Sequence, residues 1–260
     1  MQIITMMNEK GGVGKTTAAA HLAAGLANKD KNVLLIDADP QAHATLTTGM
    51  KAAPGLYDVL VRDAGWNDAI VRVPDEHYLT DKGEGNLYLV PANVEIRSIP
   101  LLINNAFKLD TRLQQLSNVV DVVIFDTPPT PSLLHASILF ATDWILFPTM
   151  CEYLSFDGLV KSLAHKTETD KQREEMGADP IQTMDILPTM YRGGTLEHKD
   201  NLLTIREKYG DKVWEPMTEA IVWGEATRAK RPVFLYAPGT TAAKQALAMV
   251  DRANDLLSAQ

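Results

Sequence analysis

"NEKGGVGKTT", residues 8–17, holds two lysines, Lys10 and Lys15, five positions apart around three glycines. It follows an apolar run, Gln2 to Met7, and leads into a helix-forming one, Lys15 to Asn28. A strand feeding a glycine-rich turn that opens a helix is the setting a phosphate-binding loop needs. Glycines let backbone N–H groups turn inward with no Cβ in the way, and the helix N-terminus adds partial positive charge. Gly11, Gly12, Val13, Gly14, Lys15, Thr16 and Thr17 are therefore the expected nucleotide-phosphate cradle. Lys15 reaches the terminal phosphates and the Thr16 hydroxyl is placed for Mg²⁺. The ordinary pattern G-x-x-x-x-G-K-[ST] wants glycine at position 9, where this chain has Glu9. The ordinary loop also leaves Lys10 without a role.

Outward from the loop, 260 residues of which 45% are hydrophobic can bury a large core. No Pro/Gly/Ser-rich linker interrupts the pattern, so residues 1–260 are expected to form one domain. The formal net charge of −8 gives no global attraction to nucleic acid or anionic lipid, so any such contact needs a local patch. One cysteine, Cys151, excludes an internal disulfide framework and a thiolate metal cluster built by one chain, and a reducing cytosol is expected. Cys151 itself reads as a small buried hydrophobe, and the six histidines lack metal-ligand spacing. No stretch approaches the roughly 18 apolar residues of a membrane span.

Nearly continuous apolar runs at Gln2 to Met7, Asn32 to Asp37, Asn86 to Ala92, Val119 to Asp126, Asp143 to Thr149, Gln182 to Met190 and Pro232 to Pro238 read as strands buried on both faces. Helical patterns lie between them at Lys15 to Asn28, Pro131 to Ala141, Leu159 to Met176, Leu196 to Tyr209 and Thr240 to Leu257. This alternation predicts an α/β fold, a mostly parallel twisted sheet with helices on both faces. In such sheets ligands bind beyond the carboxyl ends of the strands. The phosphate loop sits at one such end, which makes the fold that of a P-loop NTPase.

The loop matches the form K-G-G-x-G-K-T-[TS], in which a lysine leads. With it the chain resembles the ParA/MinD group of deviant-Walker-A ATPases, and more closely the small, Soj-like ParA partition ATPases. The resemblance implies that the leading lysine, here Lys10, reaches across a nucleotide-sandwich dimer to the phosphates held by the other subunit. That supplies charge in trans as an arginine finger does, coupling hydrolysis to dimerisation. It also implies a switch segment at "DADPQAHAT", Asp37 to Thr45, with Asp39 positioning the attacking water and Asp37 supporting Mg²⁺. "VVIFDTPPT" is similar to the Walker B element, which makes Asp126 a Mg²⁺ carboxylate.

The similarity runs on through "FPTMCEYLSFDGLVKSL" (Phe147 to Leu163), "ILPTMYRGGTLEHKDNLLTIREKYGDKV" (Ile186 to Val213) and the Glu225-Ala226 pair followed by "RPVFLYAPGTTAAKQ" (Arg231 to Gln245). Since the chain starts at the first strand, the helix-turn-helix region of larger partition ATPases is not expected. The resemblance implies an ATP- and Mg²⁺-dependent ATPase stimulated by a ParB-like or other cargo adaptor. It would bind DNA non-specifically as an ATP dimer and drive plasmid or chromosome segregation, cytoplasmic and nucleoid-associated when ATP-bound. A positioning role for a protein cargo, such as a microcompartment, is the nearest alternative, and MinD-like patterning on a membrane surface is a third. Against the membrane reading, Asp251 and Asp255 offset Lys244 and Arg252, so the last helix reads as docked on the core.

One stretch departs from the family. Where small ParA proteins show I-P-R-N-V-R-L, with the proline near adenine and arginines contributing to DNA contact, this chain has "MTEAIVW", Met217 to Trp223. Thr218 replaces the proline, and Glu219 and Val222 replace the arginines. The remaining candidate DNA contacts are Arg192, Arg228, Lys230 and Arg231.

Overall fold

The computed structural model describes residues 1–259, and within them every side chain but those of Tyr153 and Leu154. Seven strands form one sheet: β1 (Gln2–Met6), β2 (Asn32–Asp37), β3 (Val71–Arg72), β4 (Asn86–Val90), β5 (Val122–Asp126), β6 (Trp144–Met150) and β7 (Gln182–Thr189). Their spatial order is β3-β4-β2-β5-β1-β6-β7, parallel throughout except for β3, which runs antiparallel on β4 at one edge. Among the described residues, the helices of eight residues or more are α1 (Lys15–Ala27), α2 (Leu133–Ala141), α3 (Tyr153–Glu175), α4 (Leu196–Tyr209), α5 (Ile221–Arg228) and α6 (Thr241–Ser258).

Alternating residues of each central strand go to opposite faces, and both faces are covered, which is why the runs are continuously apolar. Ile4, Met6, Leu35 and Ile124 pack with α1 and α6, while Ile3, Leu34, Ile36, Val123 and Phe125 pack with α2 and the helical turns before it. A third cluster joins Met7, Phe147, Cys151, Leu159, Ile186 and Leu202 under α3 and α4. Cys151 is fully buried there, and burial pushes its thiol up to about 11, so it packs as an apolar group.

Helix α1 is buried nearly all round, as its alanine-rich sequence allows, between the sheet and α6. The apolar face of α6 (Ala242, Ala246, Met249, Val250, Ala253) is spent on this contact. No helix among the described residues is long and apolar enough to cross a membrane. The α1–α6 crossing is close at Gly25, where an added Cβ would lie 2.2 Å from Val250 Cγ2 and 2.8 Å from Cγ1. Gly25→Ala is accordingly expected to lower stability by about 1–3 kcal/mol in urea unfolding, despite the better helix propensity of alanine. A stabilised variant would show that Val250 moves aside at no cost.

Three expectations change. Pro232 to Pro238 is not a strand but a helical turn, Val233–Tyr236, whose Leu235 and Tyr236 amides donate to Pro232 O. Consecutive Val233 and Phe234 both enter the α1–α6 core, which a strand, sending neighbours to opposite sides, does not permit. Helix α3 starts at Tyr153 rather than Leu159, running through Gly158. A Cβ on Gly158 would meet Asn8 Oδ1 at 2.6 Å and Lys10 Cβ at 2.9 Å, so this glycine marks a close approach to the loop rather than a helix boundary. Strand β3 and helix α5 have no counterpart in the sequence reading. β3 is two residues long, and α5 lies within and just beyond the departing segment.

Candidate nucleotide site

The register of the sheet builds the site before any loop is considered. β5 lies between β1 and β2, with Asp126 paired to Met6 on one side and to Asp37 on the other. The three strands end level, so the glycine loop, the Asp37–Thr45 segment and the Asp126 turn meet at one rim. Gly12 (φ 77°) and Gly14 (φ 85°) adopt the left-handed conformation that side-chain-bearing residues avoid. Gly14 caps α1 with no side chain, so the first amides of the helix stay open to an anion.

The two lysines point to different places. Lys15 is buried, and its Nζ donates to Asn8 O at 2.9 Å and Lys10 O at 3.2 Å, inside the loop. Burial lowers its pKa, opposed by the charges of Asp126 and Asp39. Lys10 turns outward from the cradle: its Nζ donates to Ser155 Oγ at 2.7 Å and lies 3.6 Å from Glu152 Oε2, at the start of α3. The loop backbone is held by Asn8, whose Nδ2 donates to Pro148 O at 2.8 Å and whose Oδ1 accepts the Lys10 amide at 2.9 Å.

The acids divide by their partners. Asp37 Oδ2 accepts from the Thr45 amide and hydroxyl, both at 2.7 Å, and Oδ1 accepts the Asp39 amide at 3.2 Å. Burial raises it to about 6 in spite of these bonds. Asp39 Oδ1 takes the Gln41 amide at 2.9 Å, leaving the carboxylate half-buried on the rim. Asp126 is buried with neither oxygen hydrogen-bonded. Burial, with the Asp37 carboxylate adding to it, pushes Asp126 up to about 8, against the pull of nearby Thr16 and Lys15. An orphaned buried carboxylate beside a threonine hydroxyl and a phosphate cradle is an oxygen-donor set suited to Mg²⁺, which takes one or two protein oxygens and fills the rest of its shell from water and phosphate.

Beside the loop opens a cleft of ≈ 160 Å³ walled by Gly14, Thr17, Thr189, Met217, Thr218 and Trp223. Its far wall is the departing segment. Met217 N donates to Pro188 O at 2.8 Å, Thr218 is gripped by Gln245 Oε1, and the Trp223 indole N–H donates to Thr218 O at 2.9 Å. His21, in the second turn of α1, ties this wall to the loop: Nδ1 donates to Thr17 O (2.7 Å) and Nε2 accepts the Val233 amide (2.9 Å). Burial brings His21 down to about 4, so it stays neutral in this bridge. Its ring meets Trp223 edge-on, with centroids 5.1 Å apart.

Lys15, Thr16, Asp37, Asp39 and Asp126 are thus brought to one rim, while Lys10 leans away from it. Of the four basic residues considered for DNA, Arg192 is not a free cation: its Nε and Nη2 fork onto the Glu219 carboxylate. Arg228, Lys230 and Arg231 are exposed at the end of α5, and no ion pair engages them among the described residues. Glu152, Ser155, His21 and Gln245 escaped the sequence reading as site residues, since their partners lie far off in the chain: 145 positions from Ser155 to Lys10, 212 from His21 to Val233 and 27 from Gln245 to Thr218.

The level strand ends, the left-handed glycines and the orphaned acid define a P-loop ATPase. A family model described as an AAA domain matches residues 1–176. The chromosome-partitioning ATPase Soj of Thermus thermophilus is 32% identical over 237 residues, 90% of this chain and 88% of that one. The sporulation initiation inhibitor protein Soj of Bacillus subtilis is 32% identical over 252 residues, 94% of each chain. The apo structure of McdA from Cyanothece superposes with a TM-score of 0.81 over 98% of this chain and 99% of that one, at 21% identity, a likeness of fold. The chain belongs to the ParA/MinD/Soj family of deviant-Walker-A ATPases. It is an ATP-hydrolysing enzyme, and family membership supports the use of nucleotide and metal.

Proposed function

We propose that residues 1–260 work as one ATP-driven positioning switch, in which two copies close as a nucleotide sandwich and an adaptor protein couples their reopening to movement of a protein cargo. Gly11 to Thr17 cradle the phosphates, with Thr16 and Asp126 holding Mg²⁺ and Asp37 supporting it. A metal held there would supply electrostatic stabilisation to the transferring phosphoryl group. Asp39 orients the attacking water, and Lys10 crosses to the partner's phosphates. Closure favours the ATP-bound pair and hydrolysis removes that bias, which is how a chemical step becomes a change of partner.

The observation that carries the protein-cargo reading is the Arg192–Glu219 fork. Small ParA proteins offer cations at positions 219 and 222; here the first is an acid that also neutralises Arg192, on a chain already at −8. DNA partition remains a second reading, supported by Arg228, Lys230 and Arg231, which have no ion pair among the described residues, and by the partitioning name of the Thermus thermophilus Soj relative. One experiment separates them: binding to a random-sequence duplex at two salt concentrations with ATP, with ADP and without nucleotide. The test runs on the wild type and on Arg228→Glu/Lys230→Glu/Arg231→Glu. The protein-cargo reading expects ATP-dependent dimerisation with weak duplex binding that the triple variant leaves unchanged. Tight, salt-sensitive, ATP-dependent binding lost in the triple variant would replace it with DNA partition.

A further inference from the structure

The cleft beside the phosphate loop has features that phosphate binding leaves unused. At ≈ 160 Å³ it is smaller than the pocket a whole small molecule fills, and it begins at Gly14 and Thr17, where the phosphate cradle ends. It therefore suits a fragment joined to the phosphates rather than the phosphates themselves. Two partly exposed side chains give it an apolar surface, Trp223 and Met190. The indole plane is set in advance, because its N–H donates to Thr218 O at 2.9 Å and the His21 ring stands 5.1 Å away at 79° to it. Met190, just past the end of β7, holds φ 50°, a left-handed conformation uncommon for a residue with a side chain, and such strain gathers at ligand sites.

The polar groups of the 217–219 wall, by contrast, are spent on its own fold. Met217 donates its amide to Pro188 O and accepts the Tyr191 amide, and the Glu219 amide donates to Tyr191 O. The Thr218 amide and hydroxyl both go to Gln245 Oε1, and its carbonyl takes the indole N–H. The Glu219 carboxylate, also on the lining, is held by the Arg192 fork. The wall thus presents flat apolar surface to a ring and few groups to read the ring's edge.

We propose that Trp223 stacks on the purine base of the nucleotide and holds it by its face, so that the site grips a purine without reading which one. The proposal rests on the phosphate loop holding the nucleotide's phosphates. Trp223 lies in the stretch that departs from small ParA proteins, at the position of their leucine, so the contact is this chain's own. A site that hydrogen-bonds a ligand's edge rejects the wrong ligand by about 10⁴-fold. Stacking is blind to the exocyclic groups that separate adenine from guanine, because every base has a π-face. Met190 adds a thioether that adapts to either ring system.

The test is calorimetric titration of the full chain, in Mg²⁺, with ADP, GDP or inorganic pyrophosphate, with tryptophan emission and its quenching by acrylamide read alongside. Trp66, Trp144 and Trp214 are buried and Trp223 alone is partly exposed, so the quencher reports on Trp223. ADP and GDP are expected to bind within about tenfold of each other and to shield Trp223, and pyrophosphate to bind without shielding it. Trp223→Ala should weaken both nucleotides about tenfold or more and leave pyrophosphate within about twofold, while Trp223→Phe, which keeps a ring face without the N–H, should recover most of that loss. Nucleotide affinity unchanged in Trp223→Ala, lost equally in both variants, or lost together with pyrophosphate affinity would overturn the stacking role. GDP weaker than ADP by more than about tenfold would show that the base edge is read and overturn the face-only grip. Pyrophosphate binding with no nucleotide response at Trp223 would remove this proposal alone, whereas failure of all three ligands would remove the phosphate-loop reading and the proposal with it.

Discussion

Lys10→Ala is expected to cut ATP turnover by about 10³-fold or more, the scale seen when a charge supplied in trans is withdrawn, while leaving ADP affinity within about twofold. Lys15→Ala, five residues away, is expected to lose the nucleotide itself. The difference follows from where the two ammonium groups rest. Lys15 Nζ lies among the carbonyls of its own loop, where phosphate oxygens can replace Asn8 O and Lys10 O. Lys10 Nζ is outside that cradle, on Ser155 and Glu152. A cation held by a hydroxyl and a carboxylate about one-third exposed can leave them cheaply, since such a pair contributes on the order of 1 kcal/mol or less. Phosphate release and ADP titration of both variants measure these consequences. Equal loss of ADP binding in both variants would show that Lys10 serves its own subunit's nucleotide.

Asp126→Asn is expected to raise the melting temperature of the nucleotide-free protein at pH 8 while reducing ATP turnover by about 100-fold or more. Burial holds the Asp126 carboxyl near 8 in the fold, against 3.8 for an ordinary aspartate. A carboxyl raised on folding supports the folded state fully below its unfolded pKa, and that support drains away as pH climbs from about 4 to about 8. Asparagine carries no charge to desolvate, so the gap between variant and wild type should open across that window. It should reach a few kcal/mol, or several degrees, at its upper end. Adding Mg-ATP should reverse the order, because only the wild type gains the metal's attraction for that carboxylate. A variant less stable than wild type at pH 8 without nucleotide would mean that Asp126 is ionised and satisfied in the fold.

The parts of the site that need unusual residues were legible in the sequence. A left-handed turn takes glycine, and Gly12 and Gly14 stand there; a doubly covered strand takes an unbroken apolar run, and six of the seven runs are strands. The parts that depend on distant partners were not. Nothing near Lys10 in sequence announces Ser155, and Gly158 looks like a helix boundary until the loop packed against it is seen. The run at Pro232 misleads because short apolar stretches do not distinguish a strand from a buried helical turn. The cleft wall was legible only as a departure, because the grip of Gln245 on Thr218 spans 27 residues.

Thr45 does more than satisfy Asp37. Its hydroxyl donates to Asp37 and accepts the Ala92 amide at 2.9 Å, joining the ends of β2 and β4. The nine-residue span from Asp37 to Thr45 that carries Asp39 is consequently clamped at both feet, like a drawbridge hinged at each bank. Whatever Asp39 senses at the phosphate rim cannot be absorbed by slack in the chain. The Asp39 segment, the end of β4 and the start of the 94–102 turns therefore share one anchor, the Thr45 hydroxyl.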